Sequence, residues 1–188
     1  MKILITGKTK LAGAITAELH DTIVLQKLEV ESCRVEADIP WRHFDIFINN
    51  APVKQAELLN EAYGEWKNDS SKLIINISSR AAKPNISKGY LYSAEKAALN
   101  HLADNLVYNS SRKCGIITLN LGLLEHVDLP SLTYGEVVDC IREIIFDWYA
   151  NNPTKTEITL QHRDNYLEVQ EDKRDLKEIE EDFHYLNE

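Results

Sequence analysis

The sequence predicts an α/β protein: a doubly wound, mostly parallel sheet with helices on both faces. Short β-branched runs alternate with helical patterns along the chain, which is the signature of such a sheet. Several runs are continuously apolar, among them 3-ILI-5 and 46-IFI-48, as suits strands covered on both faces. The first run also passes straight into the turn 6-TGKTKLAG-13 and a helix, whose free amino-terminal N–H groups suit a phosphate.

In chain order, strands are expected at Lys2–Thr6, Thr22–Gln26, 33–38, Asp45–Ile48, Leu73–Ile77, Gly115–Leu121 and Glu157–Gln161. Helices are expected at Leu11–Leu19, Gln55–Trp66, Tyr92–Tyr108 and Tyr134–Ala150. The last opens on a capping box, Thr133 as N-cap and Glu136 three residues on, and stops at the breaker Asn151-Asn152-Pro153. Few residues separate Gln26 from Cys33 or Ile39 from Asp45, so the sheet is expected to be trimmed around its second to fourth strands. Parallel strands need a dozen or more residues to cross through a helix. A parallel 33–38 would require the chain to span roughly 22 Å by strand spacing and rise. Six fully extended steps reach only roughly 20 Å. A hairpin, with 33–38 antiparallel to Thr22–Gln26, strains the chain less. From Asp172 onward Leu176, Ile179, Phe183 and Leu186 recur at helical spacing. The division is therefore a domain over 1–162 and an acidic helical tail over 163–188.

A chain of 188 residues is long enough for one proper core. Its net charge of −9 speaks against nucleic acid, which wants a basic footprint. Much of that charge is local: residues 163–188 hold ten Asp and Glu against four Lys and Arg, a net of −6. No apolar run reaches the roughly 20 residues of a membrane span, and Met1 leads directly into a strand, so a cytoplasmic protein without a membrane partner is expected. Cys33, Cys114 and Cys140 show no C-x-x-C, and the histidines no ligand spacing, so neither disulfide nor metal is expected.

Four motifs then fall in order: Thr6-Gly7 with Gly13; Asn49-Asn50-Ala51 after the run Asp45–Ile48; Ser79 after Leu73–Ile77; and Tyr92 with Lys96, one helical turn apart. Together they resemble the short-chain dehydrogenase/reductase family over roughly residues 1–161, with its Rossmann-like fold. The resemblance implies an NAD(P)-dependent oxidoreductase that reduces a carbonyl or oxidises an alcohol by hydride transfer. Tyr92 would be the acid/base, Lys96 its tuner and ribose clamp, and Ser79 the donor to the substrate oxygen. Tyrosine alone is a poor acid at neutral pH, and a neighbouring ammonium favours its phenolate. Gly7, Lys8, Lys10, Leu11, Gly13, Asn50, Ala51 and Lys96 would bind the cofactor. Lys8, Lys10 and Lys27, with no acid closing the second strand, favour NADP over NAD; simple solvation of these lysines is the alternative.

The chain departs from the pattern at stated positions. Leu11 replaces the middle glycine of the loop, either crowding the pyrophosphate or pointing into the core. Pro52 replaces the glycine after Asn-Asn-Ala. The family's helix asparagine, which supports a proton-relay water, has no counterpart at the expected offset; Asn60 reads as a surface residue. Asp38 resembles the adenine-side acid but would lie at the wrong end of a hairpin. The substrate lid shrinks to 123–132. A catalytically degenerate dinucleotide-binding or protein-interaction module is therefore the alternative. By resemblance, Gln55–Trp66 and Tyr92–Tyr108 would pack across a homodimer or homotetramer interface.

Overall fold

The fold is given by a computed structural model that describes residues 1–19, 24–28, 39–51, 54–83, 89–109, 111–151 and 155–164. It contains β1 (Lys2–Thr6), α1 (Lys10–Leu19), β2 (Val24–Leu28), β3 (Ile46–Asn49), α2 (Gln55–Trp66), β4 (Leu73–Ser79), α3 (Tyr90–Tyr108), β5 (Gly115–Leu121), α4 (Tyr134–Asn151) and β6 (Glu157–Leu160). The six strands form one sheet in the order β2-β1-β3-β4-β5-β6. Every described pairing is parallel. The winding reverses between β1 and β3, the switch point where doubly wound sheets take their ligands.

Alternation along the strands divides the interior into two cores. Ile3, Ile5, Ile46, Ile48, Ile75 and Leu119 face α1 and α4, where Ile15, Val138 and Ile141 meet them. Leu4, Phe47, Ile74 and Ile116 face α2 and α3, together with Leu58, Leu59, Trp66, Leu99 and Ala103. Each strand residue thus buries its side chain on one face or the other, which is why the runs read as uninterrupted hydrophobic sequence. Trp41 packs edge-on against both Phe47 and Trp66. It lies in a short 3-10 turn, Trp41–His43, between β2 and β3.

β3, β6, α1 and α4 differ from expectation by a single residue at an end, and three elements differ for a visible reason. The second strand runs on to Leu28, past the expected end at Gln26, because Val24–Leu28 pairs residue for residue with Lys2–Thr6; Thr22 and Ile23 lie outside the described residues. Lys27 therefore lies inside the strand, opposite Ile5, and not after it. β4 continues to Ser79 because β5 pairs with it as far as Leu121. α3 begins at Tyr90, since Gly89 holds the extended conformation before it, and Tyr92 is its third residue. The capping box of α4 forms as read: the Thr133 hydroxyl accepts from the Glu136 N–H at 3.2 Å, and the Glu136 carboxylate accepts from the Thr133 N–H at 2.8 Å. The expected strand at 33–38, Asp38, Pro52 and the tail over 165–188 lie outside the described residues. No described helix is long and apolar enough to cross a membrane.

Candidate functional site

The carboxyl ends of β1 and β3 are stitched together around Gly7. Gly7 takes φ +93°, and a β-carbon there would lie 2.6 Å from the Asn50 carbonyl oxygen. Only glycine suits both that dihedral and that approach. The Asn50 N–H donates to the Thr6 hydroxyl at 3.2 Å, and its side-chain amide donates to the Thr9 hydroxyl at 2.8 Å. Thr9 also accepts from the Ala12 N–H at 3.1 Å, capping α1. Leu11 settles the choice its sequence position left open: it is buried in the core against α4, so its side chain does not occupy the loop. Ala51 is buried beside this loop.

Gly13 lies exposed on the first turns of α1, and a β-carbon there would meet nothing within 4 Å. Packing does not demand this glycine. The cleared surface, the tight turn at Gly7 and the helix end flanked by Lys8 and Lys10 suit a phosphate-bearing group. No acidic residue occupies the first turn of α1, so two lysines stand at the positive end of a helix dipole.

Above the apolar part of the α2/α3 core lies a buried polar stratum. Asn76 and Ser78 on β4, and Thr118 and Asn120 on β5, stand two residues apart and so share a face. Asn49 of β3 is in register with Asn76, and Asn76 with Thr118. Asn49 donates to the Asn76 side-chain oxygen at 3.0 Å. The Ser78 hydroxyl donates to Asn100 of α3 at 2.6 Å. Asn100 donates to Asn120 at 2.8 Å, and Asn120 to the Glu157 carboxylate at 2.6 Å. Sequence reasoning passed over this layer, although polar residues at every second place of an apolar run are its signature. Asn49 Oδ1, Asn76 Nδ2 and Thr118 Oγ1 have no hydrogen-bond partner among the described residues. Each such buried orphan costs about 1–3 kcal/mol.

Lys96 enters this stratum from α3, one turn before Asn100. Its side chain is buried, its Nζ donating to the Gln55 side-chain oxygen and, at 3.2 Å, to the Ile77 carbonyl. The same Nζ lies 5.6 Å from the centroid of the Tyr92 ring. Burial pulls the Lys96 amine down to about 8, with Glu95 acting in the other direction. Tyr92 remains 40% exposed, its ring open to an incoming molecule. Ser79 closes β4, and its hydroxyl accepts from the Ala81 N–H at 3.1 Å. α3 packs on the 3-10 turn Arg80–Ala82 that follows Ser79, and Lys96 reaches β4 at the Ile77 carbonyl, two residues before Ser79. Gln55, Thr9 and Asn100 are the structural participants that the motifs did not single out, while Asn49 of the Asn-Asn-Ala motif gains a structural part. Asn60 is exposed on α2, as read.

The shortened lid segment folds on itself. Leu124 bridges Leu132, the Glu125 N–H donates to the Leu132 carbonyl, and Leu132 is buried in the α1/α4 core. Val127 and Leu129 are left exposed at its tip.

No protein-family profile and no curated protein sequence matches the chain. Solved structures do. Serine dehydrogenase from Escherichia coli superposes with a TM-score of 0.64 at 16% identity, covering 88% of this chain and 100% of that one. A short chain dehydrogenase from Burkholderia cenocepacia J2315, in complex with NADP, gives 0.64 at 16% identity over 90% of each chain. Levodione reductase gives 0.66 at 14% identity, covering 85% of this chain and 95% of that one. The fold is that of the short-chain dehydrogenases and reductases, in a divergent and trimmed form.

Proposed function

We propose that this chain, sharing its fold with dehydrogenases and reductases, is an NAD(P)-dependent oxidoreductase acting on a carbonyl or alcohol. The observation that carries the reading is the approach of the Lys96 ammonium to the Tyr92 ring while the same amine bonds the Ile77 carbonyl of β4, the strand that Ser79 ends. Gly7, Gly13, Lys8, Lys10, Asn50, Ala51 and the backbone at Leu11 would hold a nicotinamide dinucleotide across the switch point. That group would supply or take up the hydride.

In the reductive direction the Tyr92 hydroxyl donates its proton to the substrate oxygen as the carbonyl carbon accepts the hydride pair. The Ser79 hydroxyl donates a hydrogen bond to the same oxygen, where negative charge gathers. Lys96 compensates the charge left on the Tyr92 ring until solvent returns the proton. In the oxidative direction the same atoms run backwards. Lys8 and Lys10 in the loop favour NADP, whereas the end of β2 at Leu28 makes Glu29 the next residue in sequence, an acid of the kind that suits the ribose hydroxyl of NAD, so both cofactors are to be tested. The exposed Leu91 and Tyr108 on α3 suit the expected homodimer or homotetramer.

The deciding experiment is an equilibrium titration with NADPH and with NADH, read by nicotinamide fluorescence, then a carbonyl-substrate screen. Micromolar binding with turnover abolished by Tyr92→Phe supports the reading. Binding with no turnover supports a catalytically degenerate dinucleotide-binding module instead. No binding at millimolar cofactor overturns both.

A further inference from the structure

We propose that Gln55 is the positioning residue that holds Lys96 under Tyr92 and ties the cofactor-side loop to the acid–base pair. The inference rests on the oxidoreductase reading above. Gln55 is the first residue of α2, and its side chain is buried beneath β3 and β4. Its amide nitrogen donates to the Asn49 carbonyl at 2.7 Å and to the Ile77 carbonyl at 3.0 Å. Carbonyls only accept, so both amide protons are committed and the group cannot turn over. The amide oxygen is thereby fixed toward Lys96, where it receives the ammonium. The Ile77 carbonyl is shared, accepting from Lys96 as well.

The backbone is arranged to make this happen. Lys54 adopts the left-handed conformation at φ 59°, ψ 25°, which costs a side-chain-bearing residue about 1 kcal/mol. The turn brings Gln55 back onto Asn49, whose side chain donates to the Gln55 carbonyl at 2.8 Å. Asn49 and Gln55 thus bond reciprocally across the segment that carries Asn50 and Ala51. Any shift of that segment reaches Lys96 through a single amide. The chain has no helix asparagine at the family's offset, and Gln55 gives the lysine a direct acceptor by a different route.

A residue that merely filled the core would not alter how Lys96 titrates. The test is therefore the Lys96 amine itself, followed by NMR of the isotopically methylated protein and assigned with Lys96→Arg. The variants are Gln55→Glu, which turns the acceptor into a charge, and Gln55→Met, which removes it at similar volume. NADPH affinity and the pH profile of kcat/KM are measured alongside. Gln55→Glu is expected to raise the Lys96 midpoint by about one unit or more, and Gln55→Met to lower it. Gln55→Met is also expected to lower kcat about tenfold while moving NADPH affinity little. Should one variant not fold, the other gives the same comparison, its melting curve showing which has happened. A Lys96 midpoint and pH profile unchanged in the folded variants overturn this inference alone, the active wild type leaving the reading intact. A wild type that does not bind NADPH overturns the reading and this role with it.

Discussion

A β-carbon at residue 7 is the smallest change that should disable the site. Gly7→Ala would set that atom 2.6 Å from the Asn50 carbonyl at a φ of +93°. Neither backbone can yield without breaking the Thr6–Asn50 bond. The expected result is a loss of about 1–3 kcal/mol in thermal unfolding together with loss of NADPH binding. Lys96 makes a second residue-scale prediction. Its amine sits at about 8 in the folded protein against an ordinary value of 10.5. Between those values the unfolded chain holds a proton that the folded chain has released, so stability rises with pH across this window and is flat on either side. The gain should be on the order of 3 kcal/mol. Urea unfolding at pH 7.5 and at pH 10.5 should show it in the wild type and not in Lys96→Met. Equal pH dependence in the two proteins would mean that the amine is not desolvated.

At the scale of elements, α1 carries its lysines at the end where a helix prefers acids. Lys10→Glu should therefore raise the stability of the ligand-free protein, by about 0.3–1 kcal/mol at low salt. The same change should weaken NADPH binding by about tenfold. Opposite movement of the melting temperature and the affinity is the outcome expected of an anion site; a melting gain with unchanged affinity would remove Lys10 from it. In α4, Thr133→Ala removes the hydroxyl that caps Glu136 and should cost about 1 kcal/mol in a thermal melt. Helices were legible because their signals are local. The α4 cap and the Gln55–Trp66 boundaries depend on residues a few places apart. β2 ends two residues later than expected because that end depends on the ladder to β1, not on its own composition. Ser79, Tyr92 and Lys96 were legible as a spaced motif. Gln55 was not, because a glutamine opening a helix looks solvated until the left-handed turn at Lys54 folds it inward. Asn100 stood within reach of inference, one turn after Lys96 on the same face.

For the molecule as a whole, one sheet serves two cores, and neither core can dissolve alone. Trp41 and Trp66 report on the α2/α3 side, whereas Trp148 packs on the α1/α4 side. Single-tryptophan variants, with phenylalanine at the other two places, should therefore show coincident urea midpoints. Separated midpoints would show that the two faces unfold independently. The central place of β1 also has a consequence for how the chain comes into being. Thr6 bonds with Asn50, 44 residues later, and β4 and β5 join the sheet later still. At translation rates of roughly 5–20 residues per second, 3-ILI-5 waits roughly 2–9 seconds for its inner neighbour to be synthesised. Until then the strand has no partner for its inner edge. The loop around Gly7 can take its final shape only when β3 arrives, so the phosphate end of the cleft forms no earlier than the residues around Asn50.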